Sequence, residues 1–190
     1  FVEKTLLWGY GLDLIVWLPA AGLVAALMGL IVAPIALRLR GLYLAFVTLG
    51  LVFLGEHVFR EAKVITGGVG VGRETGIPSL MGFRFDQPGE VFGVFLSKNQ
   101  KLFFLGLGLL IILGITAKNL ARSKIGRALA AVRDRDIAAE MMGINLARYK
   151  VIAFVVSSFY AGVAGALLFS VIGRVEPLSF NLLLSIEYIA

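Results

Sequence analysis

Long apolar segments without any charged residue set the tightest limit on how this chain can fold. Residues 151–172 are 22 consecutive uncharged residues, and residues 14–37 form a second run of 24 residues with Pro19 near one end. A helix of 24 residues rises about 36 Å, against a bilayer hydrocarbon core of about 30 Å. Both segments therefore predict helices that cross a membrane, the longer one with some tilt.

The composition supports the same class and excludes others. Hydrophobic residues make up 59% of the chain and charged residues 16%, and nearly all of the 18 Lys and Arg lie between the apolar segments. Although the net charge is +6, basic residues in short loops beside apolar spans indicate orientation in a lipid bilayer rather than nucleic-acid binding. The chain has no cysteine, which excludes disulfides, a thiolate nucleophile and a thiolate metal site.

Three further segments complete the predicted architecture. Residues 102–117 form a span with a few flanking residues, and a further span begins at Asn181. Residues 41–55 would reach only about 22 Å as a helix. This run either continues through Glu56, His57 and Val58 or is a discontinuous segment of the kind found in transporters. The sequence thus predicts an all-α, polytopic helical membrane protein with four full or nearly full crossings and part of a fifth.

The two ends lack the features of complete termini. The chain starts at Phe1 without a signal-peptide pattern, and it stops inside the apolar run NLLLSIEYIA. We expect residues 1–190 to be a single transmembrane domain and the central piece, or fragment, of a larger polytopic protein.

Two long polar loops, residues 59–101 and residues 118–150, indicate the orientation of this domain. If the spans alternate, residues 118–150 and the turn at Arg38 and Arg40 share one side, with ten basic and three acidic residues. Residues 59–101 and the turn at Arg174 share the other side, with seven basic and five acidic residues. The positive-inside rule places the first side in the cytoplasm and the second outside it.

Residues 118–150 include a charged, helix-forming segment. Its apolar residues recur at spacings of three to five, which predicts one amphipathic helix from about Arg127 to Met142; they are Ile125, Leu129, Val132, Ile137 and Met141. Gly143 stands where a helix ends in a left-handed residue, and Asn145 can cap the next helix. One interpretation lays this helix on the inner leaflet, but the carboxylates of the RDRD run at 133–136 disfavour anionic lipid. A groove on a partner protein fits better.

Several blocks of the sequence carry a family resemblance. GRALAAVRDRDIAAEMMGIN, with Ala138, Ala139 and Gly143, resembles the coupling-loop signature of permease subunits of ABC importers. RLRGLYLAFVTLG, ITGGVGVG and YKVIAFVVSSFYAGVAGALL resemble the branched-chain amino-acid ABC transporter permease family, in particular its LivM-type membrane subunit. The similarity runs in the same order over nearly the whole chain. One departure is Ile137, where the general motif begins with Glu, so an acidic residue must come from Asp134, Asp136 or Glu140.

The resemblance implies an importer for branched-chain, hydrophobic amino acids in the plasma (inner) membrane of a prokaryote. Its partners would be a second, homologous permease subunit, cytoplasmic ATP-binding subunits and an extracytoplasmic substrate-binding protein. The implied ATPase-coupling residues are Arg127, Arg133, Asp134, Asp136, Ala138, Ala139 and Gly143. Related permeases for urea or short amides look alike at this level, so the substrate stays open. The chain has no GxxxxGK[ST] motif, so ATP is handled elsewhere and no catalytic residue or cofactor is expected.

Other candidate sites are weaker. Thr66, Gly67 and Gly68 are expected to shape the substrate passage or the face that receives the binding protein. Glu187 is an ionisable residue inside an apolar run, which predicts a place on the translocation path or at a neighbouring subunit. His57 and Glu61 are one helical turn apart but are too few ligands for a metal. The small residues of AGVAGA, residues 161–166, predict close helix packing.

The alternative function is an ion-coupled secondary transporter or channel. That class places ionisable residues inside its spans to bind the driving ion. The complete apolar segments here contain none, since Asp13 and Glu56 lie at their edges and Glu187 lies in the unfinished segment. An enzyme is not supported, because no catalytic triad, carboxylate pair or metal cluster is evident.

Overall fold

The computed structural model describes residues 14–38, 42–62, 73–74, 79–80, 83–85, 89–91 and 94–175. Its helices are α1 (Leu14–Arg38), α2 (Leu42–Glu61), α3 (Lys98–Arg122), α4 (Lys124–Asp134), α5 (Asp136–Met141) and α6 (Leu146–Ile172). Its strands are β1 (Arg73–Glu74), β2 (Ser79–Leu80), β3 (Phe83–Arg84), β4 (Gly89–Val91), β5 (Val94–Leu96) and β6 (Arg174–Val175). One compact unit comprises α1 to Leu37, β2 to β5, α3 to α5 and α6 to Leu167, and the other comprises α2, β1, β6 and the end of α6.

Three of the described helices are long and apolar enough to cross a membrane, over Val16–Ile35, Lys98–Arg122 and Leu146–Ile172. Large apolar side chains point outward along them, as Ile31 on α1 (67% exposed) and Leu110 on α3 (69% exposed) illustrate. Such exposure suits lipid, because a transmembrane helix satisfies its backbone polar groups internally and can present apolar side chains to hydrocarbon. The predicted class, a helical membrane protein, is confirmed.

The short apolar run at residues 41–55 belongs to one continuous helix. α2 extends through Glu56 and His57 to Glu61, so of the two predicted alternatives the continuous one is right and the discontinuous one is wrong. Its 20 residues rise about 30 Å. The described residues therefore contain three helices that are long and apolar enough to cross a membrane. This number is lower than the four to five crossings predicted, and α2 is a further apolar helix. The apolar run from Asn181 lies outside the described residues.

Small residues let α1 and α6 pack closely. A Cβ atom built on Gly22 would lie 2.7 Å from Cε2 of Phe159, and one built on Gly29 would lie 2.7 Å from Cβ of Ser158. From the other side, a Cβ on Gly162 would overlap Ala25 and lie 2.9 Å from the carbonyl oxygen of Ala21. The close approach predicted for the AGVAGA segment is thus made by Gly162.

An apolar core joins α3 to the same pair of helices. Leu14 and Leu18 of α1 and Val163 of α6 are buried, and Leu105 and Leu109 of α3 pack against them. Near the other end of α3, Oγ1 of Thr116 lies 2.8 Å from Oη of Tyr160 on α6. Both hydroxyls also donate to the carbonyl of Leu113, Thr116 at 2.8 Å and Tyr160 at 3.5 Å. The hydrogen bond between Thr116 and Tyr160 fixes the position of α3 along α6.

Short strands occupy the segment predicted as a loop over residues 59–101. β2 pairs with β3 and β4 pairs with β5 as antiparallel hairpins. α2 and α3 take the two edges of the segment, up to Glu61 and from Lys98. Arg174, predicted in a turn, instead lies in β6, whose antiparallel partner is β1 with Arg73 opposite Val175. Strands of two or three residues are too short to show a periodicity, which is why the sequence did not indicate them.

The glycine contact between α1 and α6 generates a stability test. Gly162→Ala should destabilise the protein by about 1–3 kcal/mol, because the added methyl group overpacks the contact with α1. Gly165→Ala is the matched control, since Gly165 lies on the same helix with nothing within 4 Å of its missing Cβ. The measurement is the thermal unfolding midpoint in detergent. Equal midpoints for the two variants would contradict the close packing of α1 on α6.

Candidate functional site

The segment between α3 and α6 forms two helices. α4 and α5 are separated by Arg135, whose backbone is extended at φ −152° and whose N–H donates to the carbonyl of Ala131. The predicted single helix from Arg127 to Met142 is therefore wrong in its continuity. The break coincides with the five-residue step between Val132 and Ile137, which shifts the apolar stripe out of helical phase.

The predicted coupling residues differ in what a partner can reach. Arg127, Arg133, Asp134, Ala138 and Gly143 are exposed, Asp136 is half-buried, and Ala139 is buried with 3% of its surface accessible. Nε of Arg133 donates to Asp134 at 3.1 Å, in a pair open to solvent that contributes little to stability. The two alanines thus differ in exposure, since Ala138 faces outward and Ala139 is buried inside the chain.

Large apolar side chains, rather than the alanine pair, dominate the accessible surface of α5 and its end. Ile137 is 75% exposed, Met141 is 85% exposed and Met142 is 84% exposed. Ile137 with Met141, and Ala138 with Met142, are four residues apart and lie on one side of the helix; these four residues are called the α5 apolar face. Exposed apolar clusters mark interaction sites, and methionine adapts readily to a partner surface.

The sequence signal for this surface was present but incomplete. Ile137 and Met141 were recognised as apolar residues of a helical stripe, whereas Met142 was not singled out. Two methionines directly before a helix-ending glycine, in a segment rich in charge, are the feature that would have indicated it.

The turn from α5 to α6 is set by its backbone. Gly143 is left-handed, with φ +84°. The N–H of Ile144 donates to the carbonyl of Ala139 at 3.0 Å, and the N–H of Gly143 donates to the carbonyl of Glu140 at 2.9 Å, the two bonds of a Schellman motif. Oδ1 of Asn145 accepts from the N–H of Arg148 at 3.0 Å and so caps α6. The predicted conformations of Gly143 and Asn145 are confirmed.

A cavity of about 790 Å³ lies among α1, α3 and α6. Its walls are almost entirely apolar, with Leu18, Leu109 and Phe159 as examples from the three helices, and Phe85 and Leu96 complete it from the segment before α3. Among the described residues of the lining, Lys101 in the first turns of α3 is the single charged one, and it is buried. Half of these described lining residues belong to α3.

The remaining candidate residues contribute little to a described site. Thr66, Gly67, Gly68 and Glu187 lie outside the described residues. In α2, Glu56, the residue before His57, forms an ion pair with Arg60, with 2.5 Å between Oε1 and Nη2. Among the residues that the structure describes, no group of three or more His, Cys, Asp or Glu side chains could hold a metal ion.

Comparison with known proteins decides the family. Residues 2–190 match the family model for the branched-chain amino acid transport system / permease component. The chain belongs to this permease family. The permease chain is 36% identical over 184 residues to the high-affinity branched-chain amino acid transport system permease protein LivM of Salmonella typhimurium, and the same figures hold for LivM of Escherichia coli.

Both alignments cover 90% of this permease chain and 43% of the relative, so the chain spans less than half the length of the curated relatives it matches. No solved structure matches it. The family membership and the three apolar helices together indicate a multi-pass membrane protein, and the predicted family is confirmed.

The cap between α5 and α6 generates a local prediction. Asn145→Ala should weaken the start of α6 by about 1 kcal/mol, because the N–H of Arg148 loses its acceptor. Faster amide hydrogen exchange at Arg148 would report this loss. Asn119→Ala, at an exposed position on α3, is the control and should leave exchange at Arg148 unchanged. Unchanged exchange in Asn145→Ala would contradict the cap.

Proposed function

We propose that the chain is part of the transmembrane permease subunit of an ATP-binding-cassette importer for branched-chain, hydrophobic amino acids. In this role it forms part of the translocation path and carries out no catalysis, and a separate subunit hydrolyses ATP. The names of the two LivM relatives support the substrate class. The observation that carries the coupling role is the α5 apolar face, exposed on a charged helical segment between two membrane-spanning helices.

The chemistry of this segment supports a protein partner. An apolar face that remains exposed gains free energy when a groove covers it, at roughly 25 cal/mol for each Å² of apolar surface removed from water. The charged residues beside it, Arg127, Arg133, Asp134 and Asp136, carry both signs and so suit a mixed rim on a protein better than an anionic lipid surface. The partner proposed here is the cytoplasmic ATP-binding subunit, with Gly143 forming the turn behind the contact.

Ala138 and Ala139 take separate roles in this proposal. Ala138 contacts the partner, because its small side chain is exposed on the α5 apolar face. Ala139 supports α5 from inside the chain, because it is buried. A large residue at Ala138 therefore tests the contact, whereas a large residue at Ala139 would disturb the fold.

The pairing of β1 with β6 supports the proposed orientation. Residues that pair as strands lie on the same side of a membrane, so the segment after α2 and the segment after α6 share one side. The basic excess of residues 118–150 places the other side in the cytoplasm. We assign the extracytoplasmic side to the substrate-binding protein and to Thr66, Gly67 and Gly68. The second permease subunit, the path role of Glu187 and the inner membrane of a prokaryote belong to the same proposal.

Co-purification tests the contact. Ala138→Trp in the full-length permease should abolish co-elution of the ATP-binding subunits, because the indole separates the α5 apolar face from its groove. Ala117→Trp, at an exposed position on α3, is the matched control and should retain them. Retention of the ATP-binding subunits by both variants would refute the assigned contact.

Reconstitution tests the transport class. Proteoliposomes holding the full-length permease, the second permease subunit, the ATP-binding subunits and the binding protein should take up leucine only with ATP. Removal of the ATP-binding subunits should stop uptake even with an imposed proton or sodium gradient. Gradient-driven uptake without those subunits would overturn the proposal and favour a secondary transporter.

A further inference from the structure

The corner between α3 and α4 contains a single residue. Ser123 ends α3 and begins α4. Its N–H and its Oγ both donate to the carbonyl of Leu120, at 3.0 Å and 2.6 Å, and its Oγ accepts from the N–H of Gly126 at 3.3 Å. Nη1 of Arg127 donates to the carbonyl of Arg122 at 2.9 Å. The side chain of the corner residue and one side chain of α4 therefore bind backbone groups of the helices that meet there.

Gly126 brings the two helices into backbone contact. A Cβ atom built on it would lie 2.5 Å from the carbonyl oxygen of Leu120 and closer still to that of Ala121. Both atoms belong to the backbone of α3, so no side-chain movement can make room for a methyl group. Any residue larger than glycine has to open the corner.

The connection from α5 to α6 is built differently. Met142, Gly143, Ile144 and Asn145 separate the two helices. Its left-handed residue, Gly143, has nothing within 4 Å of the position of a Cβ atom. The hydrogen bonds of this connection satisfy backbone groups at the ends of α5 and α6. The backbone of α3 lies against Gly126, whereas no backbone of α6 lies against Gly143.

α3 leads from this corner to the cavity. It supplies half of the cavity lining, from Lys101 to Leu113. Thr116 of α3 lies between that wall and the corner, and its hydrogen bond with Tyr160 holds α3 on α6. A rotation of α3 about this contact would move one wall of the cavity.

We propose that α3, rather than α6, carries the movement of α4 and α5 into the cavity wall, and that Gly126 is the positioning residue that makes the corner rigid. This inference rests on the proposed coupling to an ATP-binding subunit. Movement of that subunit turns α4, and the corner turns α3 with it. The turn at Gly143 accommodates the resulting change between α5 and α6.

The first experiment compares Gly126→Ala with Gly114→Ala in the full-length permease, assembled with the second permease subunit, the ATP-binding subunits and the binding protein in proteoliposomes. Gly114 lies on α3 with nothing within 4 Å of its missing Cβ and serves as the control. Gly126→Ala should keep the ATP-binding subunits bound and still hydrolyse ATP, while the number of leucine molecules moved per ATP falls at least about tenfold. Gly114→Ala should leave this ratio unchanged. An unchanged ratio in Gly126→Ala overturns the inference and leaves the proposed function standing.

A second experiment keeps Gly126 and so does not depend on the folding of Gly126→Ala. Residues 1–190 contain no cysteine, so in a cysteine-free background of the assembled transporter spin labels can be attached through Lys118→Cys on α3 and Ala130→Cys on α4, both exposed positions. In the assembled transporter the distance between the labels should stay constant within about 2 Å between the nucleotide-free and vanadate-trapped states. A larger change means that the corner bends and refutes the inference. If the ATP-binding subunits bind neither the wild type nor the labelled protein, the proposed function itself has failed.

Discussion

The absence of water in the bilayer core is the constraint on which this structure depends. Each backbone N–H and C=O at that depth must find its partner within the protein, and an α-helix achieves this within one segment. α1, α3 and α6 meet the constraint as uninterrupted helices, and their outward side chains stay apolar. The association of these helices then depends on complementary shape, because burying an apolar side chain against another helix gains little free energy over burying it in lipid. The small residues between α1 and α6 supply that shape, and the hydrogen bond between Thr116 and Tyr160 joins α3 to α6.

The sequence determined the long elements well because their signal is strong and local. The 22 uncharged residues of 151–172 admit little besides a span, and Gly143 and Asn145 mark their turn by simple stereochemical rules. α2 was ambiguous, since Glu56 and His57 look like an end in a hydropathy pattern. The ion pair between Glu56 and Arg60 on one helical face shows how the helix continues past them.

The rest depended on contacts that no local pattern encodes. Alanine has no polar or bulky signal, so nothing in the sequence distinguished the buried Ala139 from the exposed Ala138. The break at Arg135 coincides with the five-residue spacing between Val132 and Ile137. A helical pattern that allows spacings of three to five residues does not reveal such a break. The pairing of β1 with β6 joins residues about a hundred positions apart through strands too short for any alternation. Gly126 resembled an ordinary helix-weakening glycine until the backbone of α3 was seen beside it.

The one-residue corner at Ser123 also restricts how the length of this segment can vary. Successive residues of an α-helix are separated by about 100° around its axis. One residue added between Ser123 and Gly126 would therefore turn α4 by more than a quarter of a revolution and carry α5 with it. Such a permease would still cross the membrane, yet its apolar contact surface would point in a new direction. Surface loops usually tolerate insertions, but here the exact number of residues at the corner sets the direction of the α5 apolar face.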